Sequence, residues 1–119
     1  MANEIQVSLT ISVEKNGASA RGNISLSIDQ SGDQFISNVQ IIGTSNEALT
    51  LSDVSTIGWV YVKNLDASNY VEVFLDSGNT QLVSKLLAGE ATLFKPGTTS
   101  IYARANTAAC NIQVLAAEL

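Results

Sequence analysis

Eleven acidic residues and no histidine set the terms for any chemistry this chain performs. Without histidine, the commonest general base and the commonest transition-metal ligand are both missing. Ser-His-Asp and Cys-His nucleophile systems are therefore excluded. Paired carboxylates stay formally open for glycoside hydrolysis. However, Asp29, Asp33, Glu47, Asp53, Asp66, Asp76 and Glu90 are scattered through turn-forming segments, and turn formation explains them without catalysis. Asp29-Gln-Ser-Gly-Asp33 and Asp76-Ser-Gly-Asn79 offer oxygen ligands of the kind calcium takes. Neither has the spacing of an EF-hand, so plain turn chemistry is the favoured reading. The glycines are isolated and build no phosphate-cradling loop. Trp59, Tyr61 and Tyr70 can form a stacking platform for a sugar, or pack in a core with the Tyr hydroxyls reaching backbone. With no histidine, acid cluster or basic patch beside them, core packing is the expectation, and Phe74 joins them as a core aromatic. No catalytic, cofactor-binding or metal-binding residue is assigned, and the chain is expected not to be an enzyme.

Composition narrows the partners. Lys15, Arg21, Lys63, Lys85, Lys95 and Arg104 are spread singly over a chain of net charge −5, so no basic stripe exists to neutralise phosphates and nucleic acid is not expected as a partner. Charged residues make up only 14%, which suits a surface that meets other proteins better than that of a freely diffusing monomer. One cysteine, Cys110, forbids an intramolecular disulfide and reads as a small buried hydrophobe on a late strand. Met-Ala-Asn-Glu-Ile-Gln opens without a basic n-region or an apolar h-region. The longest apolar runs fall far short of the ~20 residues a membrane helix needs. A soluble protein made in the cytoplasm, with no membrane partner, is expected.

The elements that must position these residues are strands. Ile5, Val7, Leu9, Ile11 and Val13 alternate with Gln6, Ser8, Thr10 and Ser12, a period-two pattern read as apolar side inward. Asn16-Gly17 supplies a tight turn, and Ile24, Leu26 and Ile28 continue the alternation in a second strand. Phe35, Ser37, Val39 and Ile41 mark a third. Gly58 to Leu75 reads as a central hairpin: Trp59, Tyr61 and Lys63 alternate with Val60 and Val62, and Tyr70, Glu72 and Phe74 alternate with Val71, Val73 and Leu75. Its connection holds Asn64, Asp66, Ser68 and Asn69, a polar tip placed to contact a partner. Leu82 to Leu87, Ala91 to Phe94, Ile101 to Ala105 and Cys110 to Ala117 complete the series, with Ile112, Val114 and Ala116 facing inward. No long window carries a helical period.

About eight to ten short strands with turns every 8–12 residues predict an all-β, antiparallel β-sandwich. Jelly roll is the preferred topology, because the Ala88-Gly89-Glu90 and Pro96-Gly97 corners suit strands that cross between sheets. At 119 residues a single domain, 1–119, is expected, with residues 1–8 as an edge strand or as an arm that adds to a neighbouring subunit.

The order of features from Gly58 onward resembles that of small structural proteins of tailed-phage virions, of the capsid cement or decoration type. The resemblance lies in the Trp59–Asp66 strand, Asn69 to Val73, Leu87-Ala88-Gly89-Glu90 and Ile101-Tyr102-Ala103-Arg104-Ala105, roughly the C-terminal half. It implies a homotrimer that binds the major capsid protein, stabilises the head and resides in the virion. A tail, baseplate or fibre-associated β-module is the alternative, followed by a carbohydrate-binding module. No cofactor is implied.

Overall fold

The period-two patterns are expressed as ten strands in a computed structural model, which describes residues 4–32, 34–51, 54, 56–98 and 100–118. They are β1 (Ile5–Lys15), β2 (Ala18–Ile28), β3 (Phe35–Ile42), β4 (Glu47–Ala48), β5 (Ile57–Asn64), β6 (Val71–Phe74), β7 (Leu82–Leu86), β8 (Ala91–Phe94), β9 (Tyr102–Ala105) and β10 (Cys110–Glu118). Their pairings are antiparallel, and no helix occurs among the described residues, so the all-β class and its sandwich-like layering stand.

The chain separates into two compact units, Met1–Ser31 and Gly32–Leu119. The first unit is a long hairpin. Strands β1 and β2 pair from Ile5↔Ile28 to Lys15↔Ala18, eleven residues on each side. Asn16 (φ 54°) and Gly17 (φ 82°) close it, the two positive φ values that a type I′ turn requires. Leu9, Ile11 and Val13 do not face a core as the alternation suggested; they are exposed. A two-stranded sheet has no second layer of its own to cover its apolar side.

The second unit is built from two four-stranded sheets, ordered β3-β10-β5-β8 and β4-β9-β6-β7. The pairings nest: β3 with β10, β4 with β9, β5 with β8 and β6 with β7. Side chains from both sheets meet in one cluster that includes Val60, Val62, Ile112 and Val114 from the first sheet and Val71, Val73, Ala103 and Ala105 from the second. Small aliphatics suit two sheets packed about 10 Å apart. Each fully buried Val or Ile side chain stabilises the fold by roughly 1.5–3 kcal/mol. Gly89 (φ 81°) and Gly97 (φ 69°) mark the corners where β7 passes to β8 and β8 to β9, each time changing sheet.

Two expectations change here. The segment Gly58–Leu75 is not a hairpin, because β5 lies in one sheet and β6 in the other. The residues between them carry the chain across the sandwich. In β3, Phe35, Ser37, Val39 and Ile41 point away from the core. Register places Ile36, Asn38, Gln40 and Ile42 opposite Ala116, Val114, Ile112 and Cys110, the inward residues of β10. Gln40, at the edge of that inner row, donates from Nε2 to Ala48 O (3.1 Å) and accepts from Thr50 N (2.9 Å).

Candidate interaction surface

The crossing loop after β5 is organised by Asn64. Its side chain is fully buried: Nδ2 donates to Asn69 O (2.8 Å) and Leu86 O (3.0 Å), and Oδ1 accepts from Asp66 N (2.9 Å). One amide therefore fastens the loop to itself and to the end of β7. Asp66 Oδ2 accepts from Ser68 N (3.0 Å) and Asn69 N (2.7 Å). These backbone N–H groups, Asn69 first, hold the Asp66 carboxyl below the ordinary range. Asn64 is thus an internal staple and has no surface to offer a partner. Asp66 and Asn69 are half-buried, and the exposed tip consists of Leu65, Ala67 and Ser68.

Of the four expected core aromatics Phe74 is buried in the core, whereas Trp59, Tyr61 and Tyr70 are half-buried and lie outside the inter-sheet cluster. Trp59 and Tyr61 alternate outward from Val60 and Val62 as the pattern indicated, but the outward side is the face of the sheet away from the cluster, where both are half-buried. Tyr70 sits beyond the other sheet, with Lys85 Nζ 4.2 Å from its ring centroid. Phe74 is buried, and the Arg104 guanidinium lies 5.3 Å from its ring centroid. The aromatic that does pack against the cluster is Phe94. Trp59, Tyr61 and Tyr70 consequently do not form one platform.

The two outer faces differ in chemistry. On the β4-β9-β6-β7 sheet, Lys85, Glu72 and Arg104 are cross-strand neighbours, a plus-minus-plus row in which Arg104 Nε lies 3.0 Å from Glu72 Oε1. On the β3-β10-β5-β8 sheet, register lines up Ser37, Leu115, Tyr61 and Leu93 in one row and Val39, Gln113, Lys63 and Ala91 in the next. Phe35 is 68% exposed, Ile41 67% and Val39 61%, and Leu115 is exposed as well. Lys63 is the one charge in those two rows. An apolar, nearly uncharged sheet face of this extent has the character of surfaces at which proteins meet. Sequence reasoning missed it, although a signal existed. Strands β3 and β10 are apolar at both parities, Phe35, Val39 and Ile41 beside Ile36 and Ile42, and Leu115 beside Val114 and Ala116.

Like Asp66, Asp76 serves a turn. Asp76 accepts from Thr80 Oγ1 (2.5 Å), Thr80 N (3.1 Å) and Gln81 N (2.9 Å), and these bonds, Thr80 hydroxyl first, hold its carboxyl below the ordinary range. Asp33 and Asp53 lie outside the described residues. Among the described residues no three His, Cys, Asp or Glu side chains converge as a metal-holding group. No helix there is long and apolar enough to cross a membrane. Cys110 is buried, with Sγ 3.5 Å from Ala108 O; burial first, then the nearby Asp66 charge, pushes its thiol up. Compared with known proteins, the chain matches no family model, no curated protein and no solved structure.

Proposed function

We propose that this chain is a virion structural protein, a capsid cement protein of tailed-phage type that binds the major capsid protein as a homotrimer. The observation that carries the reading is the difference between the two outer sheet faces. One is solvated by the Lys85–Glu72–Arg104 row, and the other presents Phe35, Val39, Ile41, Leu115 and Tyr61 with a single charge among its central rows. A sandwich with one wet and one apolar face is suited to lying on another protein. Standard interfaces bury ~800 Å² per partner, an area that a four-stranded sheet face can supply. The nested strand pairing supports the jelly-roll topology, and the resemblance of Trp59–Asp66, Leu87–Glu90 and Ile101–Ala105 to small virion proteins supports the particle context.

The test is co-sedimentation with shells assembled from the major capsid protein of the same particle. Wild-type protein is expected to pellet with shells, and Phe35→Asp or Leu115→Lys to stay in solution. Wild-type protein that never pellets with shells sinks the reading, and labelling confined to the tail in electron micrographs of particles moves it to the tail-module alternative. A second reading has one observation in its favour: Trp59 and Tyr61 lie on the same outer face two residues apart. Stacking of a sugar on that pair is checked by tryptophan fluorescence titrated with glycans, and an unchanged spectrum removes it.

A further inference from the structure

Strand β3 ends its sheet with a long open edge. It neighbours β10 alone. Glu118 N donates to Gln34 O (2.9 Å), so these two residues form a hydrogen-bonded pair of the antiparallel ladder. The register continues from there without a shift, so Ile36, Asn38, Gln40 and Ile42 exchange main-chain bonds with β10. The alternate residues Phe35, Ser37, Val39 and Ile41 direct their N–H and C=O groups to the open side. The far side of β10 agrees: Leu65 N donates to Asn111 O (2.9 Å), so the odd-numbered residues of β10 serve β5. The open stretch ends at Gly43, whose N–H meets Glu47 Oε2 (2.8 Å) and whose O accepts from Ala105 N (2.8 Å).

Sheet edges are normally kept from pairing by shortness, charge, proline or a bulge. The other edges of the two four-stranded sheets follow that rule: β4 has two residues, β8 has four, and β7 carries Lys85 and a register shift. Strand β3 has eight residues, Phe-Ile-Ser-Asn-Val-Gln-Ile-Ile, with no charge, proline, glycine or bulge. A row of free donors and acceptors at every second residue is matched by an extended main chain.

The strand is complementary to itself. Antiparallel pairing of two copies about a two-fold axis at Asn38 sets Phe35 across from Ile41 and Ser37 across from Val39, so every open residue is paired. An axis at Val39 sends Phe35 to Gly43, whose main-chain groups are already taken. An axis at Ser37 sends Ile41 past the first residue of the strand. Phe35 with Ile41 is an aromatic and β-branched pair of the kind that stabilises antiparallel sheets. Asn38 is an independent sign. Its Oδ1 is shielded from water and has no hydrogen-bond partner among the described residues. At the axis two Asn38 side chains share a face with Cβ atoms about 4.5–5.5 Å apart, close enough for each amide to donate to the other's Oδ1.

We infer that β3 pairs edge to edge with β3 of a second copy of this chain, antiparallel about Asn38, and joins two four-stranded sheets into one continuous sheet. The pairing goes beyond the proposed function and stands without it. A two-fold contact doubles whatever carries it, one chain to two or a homotrimer to six. Strand addition takes its affinity from main-chain bonds more than from buried area. The pairing is therefore expected as an equilibrium that follows protein concentration.

The experiment is light scattering on the full chain over a concentration series, with Val39→Pro and Val39→Thr. Proline at this position removes an open N–H and leaves the bonds to β10 in place, whereas threonine keeps the N–H. Wild type and Val39→Thr are expected to rise to twice their dilute mass, in multiples of the 12.5 kDa chain, and Val39→Pro to stay at the dilute mass. A rise from one chain to two upholds the pairing and overturns the homotrimer; a rise from three to six upholds both. A wild-type mass fixed at three chains overturns the pairing and leaves the homotrimer standing, and a mass fixed at one chain overturns both. Doubling that persists in Val39→Pro overturns the pairing. Because Val39→Pro can fail to fold, residue-by-residue hydrogen exchange of the wild type provides a second reading. The N–H groups of Ile36, Asn38 and Gln40 are expected to be protected at every concentration, and those of Phe35, Ser37, Val39 and Ile41 only as concentration rises. Open-side N–H groups that exchange fast throughout overturn the pairing. Protection gained there only when capsid shells are added assigns the edge to a strand of the shell protein and overturns it as well.

Discussion

At the scale of single residues, the most consequential side chain is a polar one. Asn64 is buried and makes three hydrogen bonds, to Asn69 O, Leu86 O and Asp66 N. Asn64→Ala leaves a donor and two acceptors without that partner, at a cost of about 1–3 kcal/mol for each group left unsatisfied. A loss of about 3 kcal/mol in thermal or denaturant unfolding is expected, comparable to removing a core aliphatic. Trp59→Ala, by contrast, truncates a half-buried ring on the outer face and is expected to cost about 1–2 kcal/mol. Ile112→Ala, at a fully buried core position, is expected to cost about 2–5 kcal/mol. Melting temperatures of the three variants give the ranking, with Trp59→Ala expected least affected. A Trp59 loss as large as that of Ile112 would mean that the outer face is covered in the isolated protein. Cys110, buried and with its thiol pushed up, is expected to react with a thiol reagent at neutral pH only as the chain unfolds.

At the scale of elements, the inner sides of the strands were legible, and the identity of their neighbours was not. Ile101 and Ala103, and Ile112, Val114 and Ala116 face the core as their alternation indicates, whereas in β5 the core side is Val60 and Val62 and not the expected Trp59 and Tyr61. Period two tells the two sides of a strand apart but not which one is covered, and that failed where both sides or no side had a covering layer. Phe35, Val39 and Ile41 turn outward because β3 pairs with the inward residues of β10, and Leu9, Ile11 and Val13 lie on a hairpin without a second sheet of its own. The polar run from Asn64 to Asn69 looked like a hairpin tip because composition records a turn without recording a change of sheet. Turn chemistry was more transparent, and it carries a pH prediction. The Asp66 and Asp76 carboxyls have depressed values in the fold, so their contribution is present above the ordinary carboxylate range near 4 and is lost as pH falls through the depressed values. Melting temperature is expected to be flat above about pH 5 and to fall below about pH 4. The Asp66→Ala, Asp76→Ala double variant is expected to be less stable at neutral pH and to show a shallower acid slope. An unchanged slope would mean that other carboxylates control acid unfolding.

At the scale of the whole molecule, stability rests on the inner apolar residues and the proposed association on the outer ones, and sparse charge decides how that association should respond to solvent. The outer rows of the β3-β10-β5-β8 sheet carry Lys63 as their only charge, and the hairpin's apolar face has Lys15 only at its turn. Contacts made by such faces gain from removing apolar area from water and little from Coulomb attraction, so screening has little to act on. Affinity for capsid shells is therefore expected to change by less than about twofold between low and high sodium chloride, where a charge-steered contact would weaken by tenfold or more. Sulfate, which strengthens apolar burial by exclusion from the protein surface, is expected to tighten the same binding. Shell binding titrated in both salts separates the two cases. A steep loss of affinity in sodium chloride would assign the contact to the charged Lys85–Glu72–Arg104 face, and the apolar face would then have to serve another copy of the chain.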